Sequence, residues 1–105
     1  MLLAIDIGNT NITVGLFNGD VLSATWRIST DSRKTSDEYG LQLTQMLEGG
    51  KSDVGDISHV AICSVVPPLT PTFQSLCQRY FGTDPLVVGS GTKTGVQVLY
   101  DSPRD

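Results

Sequence analysis

The stretch Met1-Leu2-Leu3-Ala4-Ile5-Asp6-Ile7-Gly8-Asn9-Thr10-Asn11-Ile12-Thr13-Val14-Gly15-Leu16-Phe17 decides how the rest of the chain is read. A nearly continuous apolar run, 2–7, reads as a buried central strand that carries one carboxylate, Asp6, to its end. A Gly/Asn/Thr turn follows, and a second run, 12–17, leads away with Ile12, Val14 and Leu16 on one face. The result is a hairpin whose turn offers small polar groups and backbone N–H donors beside an acid. Such a turn suits a phosphate chain and its metal, which points to nucleotide-dependent phosphoryl transfer.

Working outward, Asn18-Gly19-Asp20 is a hairpin turn, since Asn and Gly accept positive φ. A third strand, 21–29, contains Trp26 and leads into a polar loop, 29–36. Thr35 and Glu38 fit a capping box, with Asp37 and Glu38 favouring the positive end of a helix dipole. Tyr39, Leu43, Met46 and Leu47 then form one helical face, and Gly49-Gly50 is expected to stop the helix. A loop, 51–56, precedes a strand over 57–64. Thr70 reads as the N-cap of a second helix with Pro71 at its first position. Leu69, Phe73, Leu76, Cys77 and Tyr80 make its apolar stripe, and Gly82 ends it. Residues 86–88 form a short strand, 89–95 a connection and 96–100 a last strand, with a trailing polar segment from Asp101 to Asp105. The order β-β-β-α-β-α-β-β predicts an α/β domain: a mixed sheet flanked by helices, of the ribonuclease-H-like kind, its leading strands antiparallel and its helix-separated strands parallel.

The chain has 105 residues, one domain at most, with 39% hydrophobic and 17% charged residues and a net charge of −4. This is a globular mixture, and with Arg33-Lys34 as its only basic pair it lacks the basic face of a nucleic-acid binder. No nucleic-acid partner is expected. Cys63 and Cys77 match no zinc spacing and read as buried thiols in a reducing cytosol. The first residues lack the pattern of a signal peptide, and no apolar run approaches the ~18 residues of a membrane span. A cytoplasmic protein without a membrane partner is the expectation.

Asp6-Ile7-Gly8-Asn9-Thr10-Asn11 resembles the first phosphate motif of the acetate and sugar kinase, Hsp70 and actin superfamily. More narrowly, the chain resembles the type III pantothenate kinases. Trp26-Arg27, Thr35-Ser36-Asp37-Glu38-Tyr39, Ser64-Val65-Val66-Pro67 and Tyr100-Asp101-Ser102-Pro103-Arg104 agree in order and spacing. Ser102 stands where the family usually has Asn. The resemblance implies ATP-dependent phosphorylation of pantothenate, the first step of coenzyme A synthesis. It implies contacts from Asp6, Ile7, Gly8, Asn9, Thr10, Asn11, Ile12 and Thr13 to the ATP phosphates, with Asp6 on Mg²⁺, and from Tyr100 to pantothenate. Family members are longer homodimers with a second, similar domain. That domain holds adenosine contacts and a potassium or ammonium site. A Gly-Ala-Asp-Arg motif carrying the general base follows the Tyr-Asp-x-Pro segment, which places the base beyond Asp105. No catalytic residue is therefore expected within residues 1–105. They correspond to the first domain, with the second domain and the base absent from this chain, and no kinase activity is expected from them alone.

Each residue also has a plainer reading. Asp6 could cap the turn that follows it, and Gly8 and the asparagines could serve ordinary hairpin chemistry. No Walker lysine motif is present: 89–95 contains a lysine but lacks that spacing. Residues 64–68 could shape a cleft or simply stiffen a turn. His59 reads as structural, Trp26 as core or interface packing, and Asp37 and Glu38 as helix-end charges. Two other functions fit part of the pattern: a regulatory protein like the Bvg accessory factors, and another kinase of the same superfamily.

Overall fold

The computed structural model describes residues 1–88 of the chain. Among the described residues, five strands form one sheet in the order β3-β2-β1-β4-β5. Strand β1 (Leu2–Ile7) sits at its centre, antiparallel to β2 (Asn11–Asn18) and parallel to β4 (His59–Ser64). Strand β3 (Val21–Ser29) pairs antiparallel with β2 at one edge, and β5 (Leu86–Val88) pairs parallel with β4 at the other. The expected mixed sheet is therefore present. The connection 89–95, the strand expected over 96–100, Tyr100 and the polar segment ending at Asp105 lie outside the described residues. The expectation that the general base lies beyond Asp105 falls outside them too.

Alternation along the strands sorts their side chains onto two faces. Leu3, Ile5 and Ile7 of β1, Ile12, Val14 and Leu16 of β2, and Val60 and Ile62 of β4 are buried in one apolar cluster with both helices. Asp6 and Ala4 occupy the alternate positions and so face the other way. The β2–β3 turn has Gly19 at φ +63° and Asp20 next, the II′ hairpin arrangement with glycine in the first central position.

Helix α1 (Ser36–Gly49) begins at the expected capping box: the Glu38 N–H donates to Thr35 Oγ1 (3.2 Å) and the Thr35 N–H to Glu38 Oε1 (2.8 Å). Its end differs from expectation in one respect. The left-handed residue is Lys51 (φ 65°), while Gly50 stays at φ −89°. The Lys51 N–H reaches Glu48 O (3.0 Å) and the Ser52 N–H reaches Leu47 O (2.8 Å), the pair of bonds that closes a Schellman end. Gly50 serves packing instead, since a Cβ there would stand 3.0 Å from the Trp26 ring.

Two boundaries shift. Residues 54–56 form a 3-10 turn whose Val54 carbonyl takes the Ile57 N–H, so β4 starts at His59 rather than at 57. Helix α2 (Leu69–Leu76) starts one residue before the expected cap, with Pro68 in the N-cap position and no side-chain cap. The ring of Pro68 already holds helical geometry (φ −62°, ψ −24°), so the helix is entered through the double proline and Thr70 is not needed as a cap. Pro71 falls in the first turn, where a missing N–H still costs nothing. A π-helical turn, Cys77–Phe81, continues α2 to Gly82, which ends it at φ +64°. The wider turn buries Phe81 and leaves Tyr80 partly exposed over α1. Burial pushes the Cys77 thiol up to about 12, so it stays protonated and unreactive at neutral pH.

The helices meet through a Tyr39–Phe73 ring contact (4.8 Å between centroids) and through Tyr80, whose hydroxyl bonds Asp37 Oδ1 at 2.9 Å. A Cβ on Gly40 would fall 2.5 Å from the Tyr80 ring. Alanine gains about 1 kcal/mol in helix propensity, and overpacking costs about 1–3 kcal/mol. Because the Asp37 bond tethers the ring, overpacking wins: Gly40→Ala is expected to lower thermal stability. In a Tyr80→Ala background the same change should raise it. A double-mutant cycle on unfolding midpoints reads both signs.

Candidate active site at the β1–β2 turn

Asp6 is the last side chain of β1 on the face away from the helices. Its direct partners are Thr13 on β2 and Cys63 on β4. The residue is half-buried, yet its Oδ1 is fully buried and has no hydrogen-bond partner among the described residues. An orphaned buried carboxylate oxygen costs more than the ~1–3 kcal/mol of a neutral group, and native folds tolerate it where a ligand completes it. Asp6 therefore does not act as the cap of its own turn.

The turn itself is held from outside. The Gly8 N–H donates to Asn11 O (3.0 Å), and that carbonyl comes so close that a Cβ on Gly8 would stand 3.0 Å from it. Thr30 ties both ends: its Oγ1 donates to Gly8 O (2.8 Å) and its N–H to Thr10 O (2.9 Å). Next to it, the Asp31 N–H donates to the Tyr39 hydroxyl, which donates back to Asp31 O, both at 2.8 Å. Tyr39 is fully buried in α1, so the turn is anchored to the core through Thr30, Asp31 and Tyr39. The 29–36 segment reads in sequence as a plain loop, and Thr30 carries no local signal. Only the fold brings it to the turn.

The site residues divide into two sets. Gly8, Asn9, Thr10 and Asn11 form the exposed or half-exposed turn with Asp6 and Thr13 beside it. Among the described residues, the N–H groups of Asn9 and Thr10 have no backbone partner. Ile7 and Ile12 pair with each other and are fully buried in the core, so their side chains are not available to a phosphate. The Ile7 carbonyl is also taken, by the Val65 N–H (3.0 Å). Across that contact, Ser64 Oγ bonds the Val66 N–H and carbonyl (both 3.1 Å), a self-contained turn. His59 is exposed at the opposite end of β4, beside Ser58 Oγ (3.1 Å). Among the described residues no three His, Cys, Asp or Glu side chains converge. A lone carboxylate suits Mg²⁺, which takes one or two carboxylates and fills its shell with water and substrate phosphates.

The family model for type III pantothenate kinase matches residues 2–105. The chain belongs to the type III pantothenate kinase family. Type III pantothenate kinase 2 of Symbiobacterium thermophilum is 48% identical over all 105 residues, which are 40% of that protein. The type III pantothenate kinase of Geobacter sulfurreducens is likewise 48% identical over the whole chain and 41% of its own length. The chain thus spans about two fifths of the curated type III pantothenate kinases it matches. Among solved structures, a ROK hexokinase from Thermus thermophilus superposes with a TM-score of 0.60 over 84% of this chain and 34% of the hexokinase, at 12% identity. That likeness shows the sugar-kinase fold of this pantothenate-kinase-family domain. No helix among the described residues is long and apolar enough to cross a membrane.

Thr30→Val keeps the β-branched shape and removes the bond to Gly8 O. The loss of about 1 kcal/mol should speed exchange of the Gly8 amide about 5-fold or more, with little change at α1 amides. Hydrogen exchange read by NMR checks this; an unchanged Gly8 amide would mean that Thr30 does not hold the turn.

Proposed function

We propose that the intact protein is an ATP-dependent kinase that phosphorylates the primary hydroxyl of pantothenate at the start of coenzyme A synthesis. Residues 1–105 are the first of its two ribonuclease-H-like domains, and the substrates lie between them. One observation carries the reading at this site: among the described residues the buried Asp6 Oδ1 has no partner, next to a turn whose Asn9 and Thr10 N–H groups have no backbone partner. Membership of the family supports the reaction, and the names of the curated relatives support the substrate.

The roles follow from position. Asp6 would hold Mg²⁺ through its carboxylate, whose Oδ1 has no partner among the described residues. Mg²⁺, when bound, neutralises charge on the β- and γ-phosphates during transfer. The Asn9 and Thr10 amides donate to phosphate oxygens, and the Thr13 hydroxyl adds a donor beside Asp6. Thr30 keeps that cradle fixed, so donors do not reorganise as charge develops. Gly8 keeps the turn tight, its N–H on Asn11 O and no Cβ to crowd that carbonyl.

The general base is assigned to a position beyond Asp105, and the adenosine contacts and a potassium or ammonium site to the second half of the enzyme. Tyr100 is assigned to pantothenate on its motif alone. We place the working protein in the cytoplasm as a homodimer; its buried thiols, Cys63 and Cys77, fit a reducing compartment.

Asp6→Asn in the intact protein should lower pantothenate phosphorylation at least about 100-fold, the scale lost when one charge-stabilising group is removed. Its melting temperature should stay level or rise, because a neutral amide replaces a partly buried carboxylate. Coupled ADP-release assays and thermal unfolding read the two effects. Full turnover by the variant, or wild-type activity on sugars or acetate in place of pantothenate, would overturn the proposal.

A further inference from the structure

The register of the sheet sets out a row of side chains on the face that carries Asp6. Cys63, Asp6 and Thr13 are successive cross-strand partners, and Thr13 is partnered in turn by Arg27 on β3. Partners directly across a ladder share a face, so Arg27 stands on the Asp6 side of the sheet. Its neighbours confirm the phase: Ala24, Trp26 and Ile28 pack on the apolar cluster, and Thr25, Arg27 and Ser29 are exposed. Two strand spacings, about 10 Å, separate the backbones of Asp6 and Arg27, with the Thr13 hydroxyl between them.

Among the described residues the other cations are mostly engaged. Arg33 pairs with Asp31 (3.1 Å) and Arg79 with Asp37 (3.0 Å). Lys34 bonds Gln42 (3.2 Å) and lies over the Tyr39 ring. Lys51 closes α1, on the helix side of the sheet. Arg27 has no ion-pair partner among the described residues, and it shares a row with a carboxylate oxygen that has none either. Opposite charges on one face of the sheet, separated by about two strands, match a metal-bound phosphate chain: the metal side meets Asp6 and the phosphate oxygens meet a guanidinium.

We propose that Arg27 binds the phosphate chain of the nucleotide, opposite Asp6 across Thr13. The inference rests on the reading of the turn as a nucleotide site and adds to it a residue on a different strand. Arg27 is a binding and positioning residue for the phosphoryl donor. Its planar fork spans two phosphate oxygens and so fixes the chain against the Asn9 and Thr10 amides.

The test uses the intact protein and four forms: wild type, Arg27→Ala, Arg27→Lys and, as a same-face control on β3, Thr25→Ala. Because Arg27 is exposed on an edge strand, all should melt within a few degrees of wild type. Arg27→Ala should weaken MgATP binding about 10- to 100-fold by calorimetry, the scale of a lost charge-assisted bond pair, and leave adenosine binding unchanged. Arg27→Lys should fall between, and Thr25→Ala should match wild type. Unchanged MgATP affinity in Arg27→Ala, with wild type turning over pantothenate, would overturn the role of Arg27 and leave the kinase reading standing. A loss confined to the KM for pantothenate, whose carboxylate is the competing anion, would also overturn it. Wild type that binds no MgATP would remove the nucleotide site and Arg27's role together.

Discussion

The rest of the structure depends on the double pairing of β1. Hydrogen-bonded to β2 on one side and β4 on the other, this strand is paired along its whole length, and its helix-facing residues Leu3, Ile5 and Ile7 are fully buried. Burying three such side chains contributes roughly 1.5–3 kcal/mol each. That stabilisation holds Asp6 at the strand's end with one oxygen out of water and without a partner.

The same pairing places the turn. Gly8 to Thr10 follow the strand directly, and β2 returns antiparallel so that Thr13 comes back beside Asp6. Thr30, at the far end of β3, closes the turn with two bonds, and Tyr39 fixes the adjoining Asp31 from inside the core. Rigidity therefore passes from α1 through a short polar segment to the amides of the turn. Under the proposed function, such a turn would offer donors whose positions are set before a ligand arrives, as stabilising a developing phosphate charge requires.

Much of this is legible in the sequence. The apolar run 2–7, the Gly19 turn and the Thr35–Glu38 box rest on local patterns, and the structure follows them closely. The mixed sheet follows from the order of elements, which constrains strand direction. What local pattern does not carry is contact at a distance. Thr30 is an ordinary loop residue until β3 delivers it to Gly8. Ile7 and Ile12 belong to a motif that suggests ligand contact, yet strand alternation sends both into the core. Helix α2 starts at Leu69 because Pro68 already holds helical angles, and that outweighs the capping preference of Thr70. Arg27 stands on the Asp6 face through its register with Thr13, a relation that no spacing along the chain reveals.

Under the proposed function, the buried and unpaired Asp6 Oδ1 belongs to a carboxylate that binds a metal–phosphate group. The most direct measurement is anomalous diffraction from crystals of the intact protein grown with Mn²⁺ and a non-hydrolysable ATP analogue. The account predicts a manganese peak at the Asp6 carboxylate, with phosphate oxygens in hydrogen-bond reach of the Asn9 and Thr10 amides. A manganese–nucleotide complex seated elsewhere, with Asp6 Oδ1 bonded to a protein donor, would contradict it.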